Sequence, residues 1–195
     1  MTLAIDPRRT ALLVMDFQAD IVAMLGDRAP PLVERAAAVV AAAREATLPI
    51  IYVVVGFRPG YPEVSANNKV FAAAVKTGRF TTTTPGADIV AGMKPAPGDV
   101  VVVKHRAGAF PSTDLDMVLR AKQVRTLVML GISTSGVVLS TLRHAADLDL
   151  DFEIILVKDG CADPDDEVHR VLTEKVFVRQ STVATCSDVV ASLAR

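Results

Sequence analysis

The stretch "LVMLGISTSGVVLSTLRHAADLDLDF", residues 127–152, decides the fold. It passes from an apolar run through a glycine turn at Gly131 into a segment whose apolar residues recur with helical spacing. An apolar run before such a turn is typical of a strand that is buried on both faces. A nucleophile often follows a turn of this kind, yet the position that faces the turn here is Val137. The stretch therefore predicts a strand–turn–helix unit that lacks the expected reactive group.

Similar apolar runs alternate with helical patterns along the chain. Strands are predicted at residues 10–16, 49–55, 99–104, 125–130, 152–157 and 181–185. Helices are predicted at residues 31–46, 113–121, 135–148, 164–175 and 187–194. This alternation predicts a three-layer α/β/α, Rossmann-like fold around a six-stranded parallel sheet. Residues 57–97 lack a strand pattern, and we expect a helix or two and then a turn-rich excursion that covers a site.

Composition limits the classes of function. The 195 residues, 51% of them hydrophobic, predict one domain over residues 1–195. Lysine plus arginine (21) nearly balances aspartate plus glutamate (22), so neither a nucleic acid nor a membrane is expected as a partner. A small molecule fits better. The first ten residues carry no apolar signal segment, and two distant cysteines form no disulfide framework, so we expect a cytoplasmic protein.

Charged residues follow two of the predicted strands. Asp16 ends the first strand and Lys104 ends the third, while the glycine turn follows the fourth. The carboxyl ends of parallel strands border the ligand crevice in open α/β sheets, so we expect these groups to converge there. Buried together, the two charges would stabilise each other, and desolvation would shift the carboxyl pKa towards values suited to proton transfer. For either residue alone, a charge placed where solvent begins is the better explanation, and only their joint placement favours a site.

The turn itself allows a second interpretation. "GISTSG" resembles the G-x-S-x-G elbow of serine hydrolases, but Ser135 stands where that motif needs a glycine. A triad of Ser133, Asp159 and His169 is therefore a minor alternative. The turn residues 133–135 are better explained as helix caps and ligand donors, next to backbone N–H groups that suit a carboxylate or an oxyanion.

Four segments together resemble the isochorismatase-like hydrolase superfamily, also called the cysteine hydrolases. They are "LLVMDFQ", "PGDVVVVKHRAGAFPSTDLDMVLR", the opening stretch and "VKDGCADPDDEVH", and they extend over nearly the whole chain. The resemblance implies the strand order 3-2-1-4-5-6, a cis peptide between Ile132 and Ser133, and a homo-oligomer, either dimer or tetramer. It also implies that Asp16 acts as general acid or base and that Lys104 orients it and stabilises charge.

The resemblance explains what is missing at the turn. Amidase members carry G-[VI]-x-T-x-x-C-V, and aligning it on Gly131, Ile132 and Thr134 puts the nucleophilic cysteine at Val137. Valine cannot attack a carbonyl, so covalent catalysis at this position is excluded. We favour a hydrolase without a cysteine nucleophile that acts on a small anionic or carbonyl-containing molecule. The alternatives are a non-catalytic binding protein that keeps the pocket, and a chain in which a cysteine at 137 was replaced.

Isochorismatases also lack the thiol, and a hydrolysis like theirs would use Asp16 to protonate a vinyl ether. They carry a "YAHIG" type of turn, however, where this chain has "STSGV". Nicotinamidases bind a metal through a D-x-H…H set, whereas this chain reads "VVVGFRPGYPEVS" there, so no metal and no cofactor is expected. Cys161 is a weaker candidate for a substitute thiol than for a core residue. The predicted substrate-binding residues are Phe17, Gln18, Phe57, Arg58, Phe110, Ile132, Ser133, Thr134 and Gly136.

Overall fold

A computed structural model describes residues 3–148 and 152–194. Its sheet has six parallel strands in the order β3-β2-β1-β4-β5-β6, as predicted. The strands are β1 (Thr10–Met15), β2 (Ile50–Val55), β3 (Val100–Lys104), β4 (Thr126–Ile132), β5 (Glu153–Ala162) and β6 (Thr182–Ala184). Residues 149–151, the end of the decisive stretch, and residues 1–2 at the start of the chain lie outside the described residues.

Helices flank the sheet. They are α1 (Ala19–Val22), α2 (Ala29–Glu45), α3 (Ala72–Thr77), α4 (Leu115–Ala121), α5 (Leu139–Asp147), α6 (Asp166–Val171) and α7 (Cys186–Leu193). Short 3₁₀ helices lie at Ala23–Arg28, Pro85–Ala87, Ala91–Met93 and Phe177–Arg179, and π-helical turns lie at Thr134–Val138 and Leu172–Val176. Helix α2 packs against α7 and against β5. Within the described part of the chain, no helix combines the length and the apolar character needed to cross a membrane.

The central strands β1 and β4 explain why the apolar runs are continuous. All residues of both strands are buried, and side chains that point to opposite faces, such as Leu12 and Leu13, are both inaccessible to solvent. Strands covered on both faces need apolar side chains at every position instead of at alternate ones. The two strands therefore form the middle of the core, and their carboxyl ends lie side by side.

Strand β5 is longer than predicted. The prediction ended it at residue 157, because Lys158 and Asp159 look like the point where solvent begins. The strand instead continues to Ala162, and Cys161 and Ala162 pair with Gly131 and Ile132 after a register shift in β4. Pairing with the end of β4 thus overrides the polar composition of this segment. The extension brings residues 161–163 beside the turn that follows β4.

Gly131 lies where β1 and β4 approach each other most closely at the turn. A Cβ atom added to Gly131 would lie 2.9 Å from Met15 Cβ and 2.9 Å from the Met15 carbonyl oxygen. Backbone of β1 cannot move away without disturbing the buried middle of the sheet. The glycine is therefore required by space, and it allows the chain after β4 to turn next to Asp16.

We predict that Gly131→Ala lowers the free energy of unfolding by about 1–3 kcal/mol, because the new methyl group overpacks against Met15. Urea denaturation followed by circular dichroism measures the change. Gly92→Ala is the matched control, since its Cβ would lie 3.4 Å from Val33 Cγ1, an ordinary contact, and should change stability by no more than about 0.5 kcal/mol. Equal effects of the two substitutions would contradict the close approach of β1 and β4.

Candidate active site

A buried ion pair lies at the carboxyl edge of the sheet. Lys104 Nζ lies 2.9 Å from Asp16 Oδ2, and the two side chains are only 2% and 6% exposed. Strand β2 lies between β1 and β3, so the pair spans the end of β2. Asp16 has a left-handed backbone with φ of 58°, a conformation that aspartate tolerates better than most residues. Lys104 also donates to the carbonyl oxygen of Arg106 at 3.1 Å.

The environment of Asp16 suits proton transfer. Burial raises the pKa of its carboxyl group above the ordinary value, and the neighbouring Lys104 ammonium opposes that rise. Oδ2 is held by Lys104, whereas the buried Oδ1 has no hydrogen-bond partner among the described residues. A buried oxygen without a partner is costly unless water or a ligand satisfies it. The carboxyl group therefore has one anchored oxygen and one that is available to a reacting molecule.

The turn after β4 is held from the side of β5 and α6. Its Ile132–Ser133 peptide is cis, as the resemblance implies. Thr134 Oγ1 forms a hydrogen bond of 2.8 Å with His169 Nδ1, and the Ser135 N–H donates to Asp163 Oδ2 at 2.8 Å. Burial lowers the pKa of His169, against the opposing effect of the nearby Asp163 carboxylate. Asp163 was not singled out from the sequence, although it lies in the fourth segment of the family resemblance.

The alternative triad does not form. His169 contacts Thr134 instead of Ser133, and Asp159 Oδ1 accepts from the backbone N–H of Cys186 at 2.7 Å. The carbonyl oxygen of Asp159 accepts from Arg35 Nε. Asp159 therefore connects β5 to α2 and α7, and it does not orient a catalytic histidine.

A cavity of about 340 Å³ opens beside the ion pair. Half of the predicted site residues line it: Asp16, Lys104, Ile132, Ser133, Gly136 and Val137. Val137 is 2% exposed, so its branched side chain packs at the cavity wall. The remaining lining residues are Ile21, Met24, Val55, Val70, Phe71, Ala73, Ala74, Thr77, Arg79, Phe80 and Ala107. The segment predicted to cover the site, residues 57–97, supplies seven of these.

Phe17 and Gln18 were predicted to bind substrate, but in the structure they stabilise the loop and strand that surround the site. The Gln18 side chain donates to the carbonyl oxygens of Val55 and Ala87, and it accepts from the Val55 N–H, each at 2.8 Å. The Phe17 side chain is buried, and its carbonyl oxygen accepts from the Val90 N–H at 3.0 Å. Both residues thus fasten the 85–90 loop to the sheet without lining the cavity.

Phe57, Arg58 and Phe110 lie outside the cavity as well. Phe57 is fully buried and packs edge-on against Phe71, with ring centroids 4.9 Å apart. Phe110 stacks on His144 at 5.0 Å. The Arg58 guanidinium, predicted to bind substrate, is paired with Glu63 at 2.5 Å instead. Thr134 is buried and supports the turn through His169, so it too has a structural contact instead of a place in the cavity wall.

Other candidate chemistry lies apart from the cavity. Cys161 is buried, and burial raises the pKa of its thiol to about 12, which suppresses the reactive thiolate. It lines a separate cavity of about 400 Å³ with Asp163 and His169. In residues 3–148 and 152–194, no group of three or more His, Cys, Asp or Glu side chains is placed to hold a metal ion. A site that needs neither metal nor cofactor stays a prediction.

With this geometry in place, comparison with known proteins is informative. Residues 10–188 match the family model described as the isochorismatase domain. The chain belongs to the isochorismatase family. Its fold agrees with this assignment, since solved isochorismatase family structures superpose on the chain.

Individual relatives agree with the family. The chain is 36% identical over 165 residues to the ureidoacrylate amidohydrolase RutB of Methylobacterium radiotolerans. The match covers 72% of this chain and 63% of RutB, so the chain spans less than two thirds of that relative's length. It is 28% identical to the isochorismatase family protein YecD of Escherichia coli O157:H7, over 98% of this chain and 100% of YecD. An isochorismatase family structure from Burkholderia thailandensis superposes with a TM-score of 0.83 at 27% identity, covering 100% of this chain and 98% of that one.

We predict that Val137→Cys reacts with iodoacetamide at neutral pH at least about tenfold faster than Cys161 or Cys186, because position 137 borders the cavity and lies in the first turn of the helical segment after β4, where a thiolate is favoured. Burial raises the pKa of both native thiols to about 12, so they are internal controls. Mass spectrometry of labelled peptides from the folded protein measures the three rates. Equally slow labelling at all three positions would show that residue 137 does not face the cavity.

Proposed function

We propose that this isochorismatase-family protein hydrolyses a small carbonyl compound, with Asp16 as general acid and base and with water, instead of a thiol, as the nucleophile. One observation carries the proposal: the buried Asp16–Lys104 pair leaves one carboxyl oxygen without a partner next to the cavity that Val137 borders. A pair of this kind costs desolvation energy, and perturbed carboxyl groups in cavities are concentrated at sites of proton transfer.

The proposed reaction conserves protons at Asp16. Oδ1 accepts a proton from water while the water oxygen bonds to the substrate carbonyl carbon. The same carboxyl group then donates that proton to the leaving nitrogen or oxygen as the bond from carbon to the leaving group breaks, giving an acid and an amine or alcohol. Lys104 holds the carboxyl group in place and stabilises its charged form.

Two further points support hydrolysis of an amide-like bond. The relative RutB is named for amidohydrolysis of ureidoacrylate, although the match extends over only 63% of that protein. The raised pKa of Asp16 brings the carboxyl group closer to the pH at which both removal and return of a proton are efficient. Vinyl ether hydrolysis would use the same residue as an acid, so it belongs in the same substrate screen.

A second candidate function is small-molecule binding without catalysis. Val137 favours it, because a branched apolar side chain occupies the position of the family nucleophile and packs at the cavity wall. In that case the cavity and its ion pair persist while turnover is lost. A homo-oligomeric state and a cytoplasmic location stay predictions under either function.

We predict that Asp16→Asn lowers kcat/KM by at least about 100-fold while ligand binding persists, because the substitution removes proton transfer and keeps most of the side-chain volume. The measurement is turnover of ureidoacrylate, simple amides, esters and vinyl ethers, combined with thermal protection by each compound. Asp99→Asn is the matched control, since the Asp99 side chain is only 10% exposed and is ion-paired, with Arg44, but lies outside the cavity. Thermal protection without Asp16-dependent turnover of any compound would support the binding function instead.

The pH dependence provides an independent check. Asp16 must be ionised to accept a proton from water, so kcat/KM should rise with pH through the raised pKa of this group. We therefore expect the acidic limb of the profile to have its midpoint above the ordinary aspartate value of about 3.9. Circular dichroism over the same pH range shows whether the protein remains folded. A midpoint at or below that ordinary value in folded protein would contradict the assignment of Asp16 as the base.

A further inference from the structure

We infer that the molecule bound in this cavity is uncharged, and that it carries an apolar aliphatic or aromatic group opposite its carbonyl. The inference rests on the proposed function for the orientation of the carbonyl towards Asp16. It goes further by defining the substrate class and the wall that selects it. Two observations support it: the apolar lining contributed by α3, and the pairing of every charged side chain that borders the cavity.

A large part of the apolar lining comes from one segment of the chain. Helix α3 and the residues beside it contribute Val70, Phe71, Ala73, Ala74 and Phe80. Ala74 is buried at this wall, and a methyl side chain leaves space that a larger residue would fill. Transfer of an apolar group from water to such a wall is favourable by about 25 cal/mol per Å². Each methylene or ring atom of a substrate that packs against α3 thus makes the binding free energy more favourable.

The charges around the cavity offer no free cation. Among the described lining residues, only Asp16, Lys104 and Arg79 are charged. Lys104 is neutralised by Asp16, and Arg79 Nε lies 3.3 Å from Asp20 Oδ2. A second nitrogen of Arg79 donates to the carbonyl oxygen of Asp20, which fixes the guanidinium to α1. A substrate carboxylate would therefore lose its hydration without gaining an ion pair, which is unfavourable.

The consequence for substrate choice is specific. A neutral amide or ester with an alkyl or aryl acyl group places its carbonyl at Asp16 and its apolar part along α3. A compound of the same length that ends in a carboxylate places that charge against Phe71 and Ala74. The structure thus separates the two classes by charge, although both contain the same scissile carbonyl.

Binding of matched amides tests the inference without requiring turnover. Isothermal titration of the unsubstituted protein, in which Lys104 stays paired with Asp16, with butyramide, hexanamide and adipamic acid compares chain length and terminal charge. We expect the affinity to rise about fourfold for each added methylene, so that hexanamide binds roughly 15-fold more tightly than butyramide. Adipamic acid, ionised at neutral pH, should bind at least tenfold more weakly than hexanamide. Binding that is independent of chain length, or equal for adipamic acid and hexanamide, would overturn the inference.

Substitutions on α3 locate the selecting wall. Ala74→Phe should remove the preference for hexanamide over butyramide, because the added ring occupies the same space. Val75→Phe adds a larger ring at a position that is 40% exposed and does not line the cavity, so it should leave the preference unchanged. Ala73→Phe repeats the test at a solvent-exposed lining position, should Ala74→Phe fail to fold. If Ala74→Phe and Ala73→Phe both kept the full preference for hexanamide over butyramide, the role of α3 would be contradicted.

Asp20→Asn tests the charge argument. Removal of that carboxylate leaves Arg79 without its ion-pair partner, so the affinity for adipamic acid relative to hexanamide should increase at least about threefold. An unchanged ratio would show that the pairing of Arg79 does not set the preference. Failure of the inference and failure of the proposed function remain distinct. Binding reports the substrate class, whereas only loss of turnover in Asp16→Asn reports the chemistry.

Discussion

The buried ion pair of Asp16 and Lys104 is the constraint on which the site depends. Two charges without solvent are tolerated only when they remain close, and loss of one partner from such a pair costs about 3–5 kcal/mol. The pair therefore ties β1 to β3 across β2. The required register is visible in the sheet, where Met15 pairs with Val53 and Val55 pairs with Lys104. A slip of one residue in either strand would point one charge to the wrong face of the sheet.

The turn after β4 is ordered although it carries a valine, and no thiol, at position 137. Thr134 and Ser135 are held by His169 and Asp163, which the extension of β5 and the start of α6 bring into place. Gly131 lets this turn pass close to Met15 and hence to Asp16. Ordering this turn therefore costs conformational entropy, although the residue that it places at the cavity wall is the unreactive Val137. An ordered turn can still stabilise a bound ligand through its backbone and through the shape of the cavity wall, without a reactive side chain.

Sequence alone was sufficient for the parts of the structure that depend on local pattern. Continuous apolar runs located the strands, and the residues at their ends located Asp16 and Lys104, because parallel strands share one carboxyl edge. Phe57 and Phe110 were predicted to bind substrate but do not line the cavity, since an aromatic residue near a site pattern packs equally well against Phe71 or His144 in the interior. The contribution of α3 to the cavity was not predicted by residue, because it depends on how residues 57–97 fold back over the sheet. No regular spacing of apolar residues in this segment predicts how it folds back over the sheet.

The side-chain amide of Gln18 has a consequence for how the cavity exchanges its contents. Its bonds to Val55 and Ala87, together with the bond from the Ala19 N–H to the Asp88 carbonyl oxygen, fix the 85–90 loop to the sheet. By contrast, α3, which contributes to the cavity lining, is a helix of six residues that ends at Gly78 in a left-handed conformation with φ of 72°. Short helices with few buried contacts open at low free-energy cost. We therefore expect a ligand to enter and leave the cavity through movement of α3.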